Sequence, residues 1–280
     1  GVELRIYPGG VAGDDHDMVR KLRIGQLHAA ALTAEGLSSI VPEIRALWLP
    51  MLLQSDAELD YVRDRLGPRL ESLLEQRGFK LLTWGDAGWV YLFAQKPVVR
   101  PADLKPLRIF TWAGDQAAID AWKQSGYNPV PLAVTDIHGA LQSGLIQAFS
   151  TTPVAALSFQ WFGLATHMTD VKWAPLPGAV IISMAKWRTI RDDLKPPLLR
   201  AARDTGARLK GSIQKFNDDA VRVMQKHGLA VHPVPPAAVE LWEQDARAGY
   251  PRLVGSGVSA DFAAEAIRLR DEFRARGQSQ

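Results

Sequence analysis

Apolar and polar positions in this chain follow two periods. Short runs alternate at period two, and longer stretches repeat at about 3.6 residues, the marks of strands and helices. The resulting β–α succession predicts an α/β protein with helices on both sides of its sheets. Leu4 to Tyr7 reads as a strand and Pro8-Gly9-Gly10 as a turn. Asp14 or Asp15 caps a helix over 17–24 that stops at Gly25. Leu27 to Leu32 is a strand of small side chains, Ala30 among them, which lets a ligand or another backbone come close. Leu47-Trp48-Leu49-Pro50 is an apolar segment closed by proline. From Asp56 to Arg77, Leu59, Val62, Leu66, Leu70, Leu73 and Leu74 line one side of a long helix. Pro68 inside it predicts a break or kink near Gly67.

Phe79 to Trp84 is the next strand, Gly85-Asp86-Ala87-Gly88 a turn, and Trp89 to Ala94 a strand leading into a second domain. The stretch from Asp103 to Asp115 organises that domain. It turns at Arg100-Pro101-Ala102-Asp103, runs through an apolar strand at Leu107 to Phe110 and breaks at Gly114. Asp115 then caps a helix over 116–123. A strand that stops at glycine and feeds a helix puts its last side chains at the carboxyl edge of a sheet, where open α/β folds bind ligands. Phe110, Trp112 and Asp115 are therefore candidate cleft residues. Further on come a strand at Asn128 to Leu132, a capped helix at Thr135 to Gln142 and a strand at Leu145 to Phe149. That strand ends in Ser150-Thr151-Thr152-Pro153, a second candidate edge. Ala155 to Phe162 is apolar and carries Gln160 and Trp161. Ala179 to Met184 crosses back as a strand. Arg191 to His227 reads as a very long helical region interrupted near Pro196-Pro197, and Val231 to Val234 as a strand. Two helices finish the chain, with Gly255-Ser256-Gly257 between them.

The segment Asp103-Leu104-Lys105-Pro106-Leu107-Arg108-Ile109-Phe110 resembles the D-L-K-G-x-K-x-R segment of TRAP transporter substrate-binding proteins of the dicarboxylate-binding type. Other stretches agree in order and spacing: Tyr7 to Gly13, Lys21 to His28, Leu47 to Leu53 and Ala140 to Ile146. The resemblance covers nearly the whole chain. It implies a two-domain periplasmic-binding-protein-like fold with hinge strands and a long domain-spanning helix. The expected domains are 1–88 plus 176–216, and 89–175 plus 217–280. It also implies a periplasmic location, capture of a small solute between the domains, and delivery to a membrane permease, by a monomer or weak dimer. In the family another strand and helix normally precede the first strand read here. No signal peptide is visible in the sequence, so an N-terminal segment removed or not included is the expectation.

One departure from the family matters most. An arginine normally closes the 107–110 strand and clamps the ligand carboxylate, and here Phe110 stands in its place. Arg108 matches an ordinary lysine position, although two residues along a strand share a face. Ser150-Thr151 stand where the family has a glutamate-asparagine pair, and Gln147 where it has an aspartate. Enclosing a carboxylate without a cation costs several kcal/mol. Burying ~300 Å² of apolar solute surface contributes roughly 7 kcal/mol at ~25 cal/mol/Å². Micromolar affinity requires about 8 kcal/mol net, so hydrogen bonds from Ser150, Thr151, Asp115 or Gln160 must supplement it. An uncharged or largely apolar solute is the resulting expectation. The alternative is an organic acid held by Arg108.

Composition narrows the rest. With 280 residues and 47% hydrophobic, the chain is long enough for two domains and a sizeable core. A net charge of +3 without a Lys/Arg run does not suit nucleic acid. The absence of cysteine excludes disulfides and thiolate metal sites. No run reaches the ~18 apolar residues of a membrane span. The six histidines show no metal-ligand spacing, and neither metal nor cofactor is expected. Gly9-Gly10-Val11-Ala12-Gly13 lacks the Lys-Ser/Thr of a phosphate loop, and no base–nucleophile spacing supports an enzyme. A ligand sensor without a transporter is not separable from a transport role here. Trp84, Trp89, Trp112 and Trp161 fall at strand ends or just beyond. Each reads either as core or, with Phe110, as part of an aromatic cleft.

Overall fold

Capping side chains and prolines set most of the helix starts. The structure, a computed structural model, describes residues 3–8 and 10–277. Gly1, Val2, Gly9 and the end of the polar tail therefore lie outside the described residues. Asp14 accepts the Asp17 N–H at 2.9 Å to start α1 (Asp15–Arg23). Thr33, at the end of β1 (Ala29–Thr33), caps α2 (Ala34–Ser38). A short 3-10 helix, Pro42–Leu47, comes next. Ser55 caps α3 (Asp56–Gln76). The alternation then runs β2 (Phe79–Ala94), α4 (Pro101–Leu104), β3 (Arg108–Trp112), α5 (Gln116–Gln124), β4 (Asn128–Leu132), α6 (Ile137–Gln142), β5 (Ala148–Thr151) and α7 (Pro153–Ser158). It closes with β6 (His167–Ser183), α8 (Met184–Thr189), α9 (Lys195–Lys226), β7 (Ala230–Pro233), α10 (Pro236–Leu253) and α11 (Ala260–Gly277).

The strands form one sheet in the order β1-β6-β2-β5-β3-β4, with β7 beside β6. Two long antiparallel strands carry it, paired from Phe79↔Ser183 to Ala94↔His167. β1 lies on β6 near one end of this ribbon, while β5, β3, β4 and β7 gather at the other. The crossing strands thus join two lobes. Alternate residues point to opposite faces of the second lobe's sheet. Leu92, Ile109 and Ala148 enter the core with Trp173 and Trp242. Their neighbours Phe93, Phe110 and Phe149 enter a core with Trp161 and Met224. The first lobe's core gathers α3, the 3-10 segment and α11, including Ile44, Leu66, Leu70 and Phe262. The C-terminal helices divide: α10 packs on α5, whereas α11 packs on α3 beside residues expected in the first domain.

Several local expectations change. The turn read at 85–88 is instead part of continuous β2, with a register shift between Asp86 and Trp89. The partner strand β6 runs on alongside, so the glycines produce a bulge and not a reversal. α3 continues through Pro68, because the buried face on both sides of it holds the helix on the core. Leu4 to Tyr7 is not a strand, and Leu4 and Ile6 lie exposed. The paired prolines start α9 instead of interrupting it, since a first-turn N–H needs no intrahelical partner.

Helix α9 is pinned to both the hinge and the second lobe by Asn217. Its Nδ2 donates to the Ala87 carbonyl at 3.1 Å, and its Oδ1 accepts the Val154 N–H at 3.1 Å. Gly88, at φ +102, permits this approach, for a Cβ there would lie 2.4 Å from Asn217 Nδ2. Close by on the partner strand, opposite Gly85, Gly178 faces the Leu32 carbonyl, which a Cβ would meet at 2.7 Å. Backbone cannot move aside as a flexible side chain can. Gly178→Ala is therefore expected to lower stability by ~1–3 kcal/mol, read by urea denaturation. A loss under ~0.5 kcal/mol would contradict the close packing of β1 on β6.

Candidate functional site

β3 and β5 are parallel neighbours, so their carboxyl ends reach the same edge. β3 delivers Phe110, Thr111 and Trp112 there. Gly114 turns the chain at φ +97, and Asp115 caps α5 by accepting the Ala118 N–H at 3.1 Å. β5 delivers Ser150 and Thr151 before Pro153 starts α7. From the first lobe, the 3-10 segment and the residues after it bring Arg45, Trp48 and Pro50. Together these enclose a cavity of about 140 Å³ that extends onward between α5 and α10.

The electrostatics centre on Arg45. Its Nη2 donates to Asp115 Oδ2 at 2.8 Å, joining the lobes, and lies 3.9 Å from Glu35 Oε2. The guanidinium also sits over the Trp48 ring at 4.8 Å. Glu35 Oε1 is 3.4 Å from His16 Nε2. Asp15, beside them, accepts from the Thr33 hydroxyl, the Thr33 N–H and the Gly36 N–H. Arg45, Asp115, Glu35 and Asp15 are all buried. Burial pushes the Asp15 and Glu35 carboxyls upward, against the pull of these hydrogen bonds. The Glu35 carboxylate in turn holds the His16 imidazole above its ordinary value. Farther in, Asp245 accepts the Tyr127 O–H at 2.6 Å and pairs with Lys105 at 3.1 Å. Burial, and then this bond to Asp245, raises the Tyr127 phenol.

Of the residues singled out in the sequence, Phe110, Trp112, Asp115, Ser150 and Thr151 meet at this cavity. The others lie elsewhere. Arg108 is held at the surface, where its Nε donates to the Leu145 carbonyl at 2.7 Å and its Nη2 to Gly144. Trp84 packs against the first lobe's core. Trp89 donates to Asp56 at 2.9 Å and lines a second hollow between the crossing strands and α9. Trp161 is buried against Phe149 and Phe159, and Gln160 turns the chain at φ +56 ahead of it. Asp14 is a helix cap, and Ala30 pairs with Ile181 across β1 and β6. Arg45 escaped sequence reasoning. Its signal was a lone cation in the otherwise apolar run Ile44-Arg45-Ala46-Leu47-Trp48-Leu49. Trp122 and Trp173 were missed as well, because neither stands at the end of a predicted strand.

Two lobes joined by crossing strands, with a cavity whose walls both lobes supply, define a hinged solute binder. The chain belongs to the bacterial extracellular solute-binding protein family 7, whose profile matches residues 1–254. It is an extracytoplasmic solute-binding protein of the TRAP type, not an enzyme, and its family works outside the cytoplasm with membrane permease subunits. It is 24% identical over 232 residues to the 2,3-diketo-L-gulonate-binding periplasmic protein YiaO of Escherichia coli K12, covering 82% of this chain and 70% of that protein. Its fold is shared with a TRAP periplasmic solute binding protein from Xanthobacter autotrophicus Py2 with bound β-D-galacturonate. That match has TM-score 0.87 and 17% identity, and covers 96% of this chain and 89% of the other. A TRAP protein from Sulfurospirillum deleyianum with bound succinate also matches, at TM-score 0.87 and 22% identity, covering 95% and 88%.

The cluster around Glu35 makes stability depend on pH. Asp15, Glu35 and His16 all hold protons more tightly folded than at their ordinary values of 3.8, 4.5 and 6.5. Stabilisation from a raised group is complete below its unfolded value and is lost as pH climbs through the folded one. The thermal midpoint of ligand-free protein is therefore expected to fall as pH rises from about 5 to about 8. Glu35→Gln should flatten part of that fall, because it removes the partner that raises His16. A variant that loses stability as steeply as the wild type across this window would contradict the assignment.

Proposed function

We propose that this TRAP-type protein captures an uncharged, largely apolar solute in the interlobe cavity and presents it to its permease. One observation carries the reading. Arg45, Asp115 and Asp245, the charged side chains that line the cavity, are already paired, Arg45 with Asp115 and Asp245 with Lys105. Apart from the remaining N–H groups of Arg45, whose Nε has no partner among the described residues, what is left for a solute is neutral. The hydroxyls of Thr111, Ser150 and Thr151 make no hydrogen bond to the protein among the described residues, and aromatic rings form the walls. A cavity of about 140 Å³ has room for about five waters at ~30 Å³ each, hence for a small solute of roughly single-ring size. We further propose that residues 1–88 and 176–216 close against 89–175 and the α10 region, with α11 riding on α3. Closing expels water and changes the surface that the permease meets.

A second reading keeps an acid as ligand. Relatives of this fold bind galacturonate and succinate, and Arg45 supplies a guanidinium from the opposite lobe. An incoming carboxylate would meet a guanidinium that Asp115 already neutralises, and would either share its remaining N–H groups or displace Asp115. Displacement strands a buried carboxylate at a cost of ~3–5 kcal/mol, and sharing crowds two carboxylates on one cation, which favours the neutral solute.

Calorimetric titration with matched pairs separates the two, D-galactose against D-galacturonate and succinamide against succinate. The neutral reading predicts that the acid binds at least ~tenfold more weakly than its neutral partner. It also predicts that Phe110→Arg reverses the order. Tighter binding of either acid by the wild type, abolished in Arg45→Met, would establish the second reading instead.

A further inference from the structure

The cavity has two chemically different ends, and the difference specifies the shape of the solute. This inference rests on the reading of a neutral ligand and goes on to its internal layout. At one end stand the hydroxyls of Thr111, Ser150 and Thr151, beside the Arg45–Asp115 pair. The other end lies between α5 and α10. There Ala118, Ala121 and Trp122 from α5 meet Ala246 and Gly249 from α10, with Trp173 of the crossing strand as a third wall.

The rings at this second end hold one another in place. Trp122 stacks on Trp173 at 5.5 Å and 20°, and meets Tyr127 edge-on at 4.7 Å. Trp173 meets Trp242 edge-on at 5.9 Å, and the Trp242 N–H is bound to the Val99 carbonyl at 2.8 Å. A wall fixed in this way keeps its shape when a solute enters. Its carboxylate, Asp245, is occupied by Tyr127 and Lys105. Among the described residues, the side-chain polar groups left without a partner there are the Ser125 hydroxyl and the indole N–H groups of Trp122 and Trp173. They are too few to pair the hydroxyls of a sugar ring. Space is kept open by small residues: a Cβ on Gly249 would find only Ser125 Oγ within 4 Å, at 3.9 Å.

We infer that the solute is amphipathic, with a hydroxyl or carbonyl head at Thr111, Ser150 and Thr151 and an unsubstituted aromatic or aliphatic body seated between α5 and α10. Hydroxyls on the body would give up water without regaining partners. Each unpaired one lowers affinity ~tenfold. The head tolerates variation in chemistry; the body sets the length limit, through Gly249 and Ala246.

The test is calorimetric titration of the wild-type protein with p-cresol, erythritol and succinate. The inference expects saturable one-site binding of p-cresol, tighter than either other probe. Gly249→Leu and Ala246→Leu fill the apolar end, and each should weaken p-cresol ~tenfold or more, with circular dichroism confirming the fold. If both variants unfold, nuclear Overhauser contacts in the wild type decide, since the p-cresol methyl protons should reach the indole protons of Trp122 or Trp173. Erythritol binding more tightly than p-cresol overturns the layout and leaves the neutral reading standing. Succinate binding most tightly overturns both. Failure of p-cresol to saturate, undiminished binding in both folded variants, or methyl contacts only outside these rings also overturns the inference.

Discussion

The ion pair between Arg45 and Asp115 governs this molecule. Its partners come from different lobes, and the nitrogen and oxygen stand 2.8 Å apart with both side chains buried. Neither charge is tolerable there alone, because a buried ion without a partner loses hydration worth several kcal/mol. The pair therefore fixes how the lobes meet. It also limits the charge offered to a solute: Asp115 neutralises the guanidinium that faces the cavity, although its Nε–H has no partner among the described residues. Glu35 faces the same cation at 3.9 Å, and burial raises its carboxyl against the pull of that cation and of His16. A carboxylate ligand would bring further negative charge to this cluster.

The frame exists to bring that pair together. Arg45 and Asp115 are 70 residues apart in sequence. β2 and β6 carry the chain between lobes, and their bulges let the ribbon bend without losing its ladder. α9 lies along them and is tied by Asn217 to both the bulged strand and the start of α7. On the second lobe, the parallel β3 and β5 place their ends side by side, so that the cap of α5 and the hydroxyls at the end of β5 share one rim. Movement of the lobes would be resisted by the ribbon and biased by the pair.

Much of this was legible in the chain. Caps at Asp14 and Asp115, the amphipathic face of α3 and the Gly114 stop each arise from local chemistry, and each stands where the pattern puts it. The rim formed by Phe110, Trp112, Asp115, Ser150 and Thr151 was likewise readable from strands that end in glycine or proline. Long-range pairing was not readable. The glycines at 85 and 88 look like a turn until β6 is present to continue the ladder, and Pro68 looks like a break until a core holds the helix on both sides. Arg45 has no motif around it. Its role depends on a carboxylate that arrives from the other lobe. Trp84 and Trp161 show the converse, since a ring at a strand end packs into a core unless the opposite lobe leaves space beside it.

The molecule that the cavity retains through purification tests the account most directly. Denaturing freshly purified protein and identifying the released small molecule by mass spectrometry, in both ion polarities, reads the solute's charge class without choosing candidates in advance. The account predicts a molecule with no ionised group at neutral pH. Stoichiometric release of a carboxylate such as a uronate or a dicarboxylate would contradict it, and would mean that the Arg45 guanidinium serves the solute as well as Asp115.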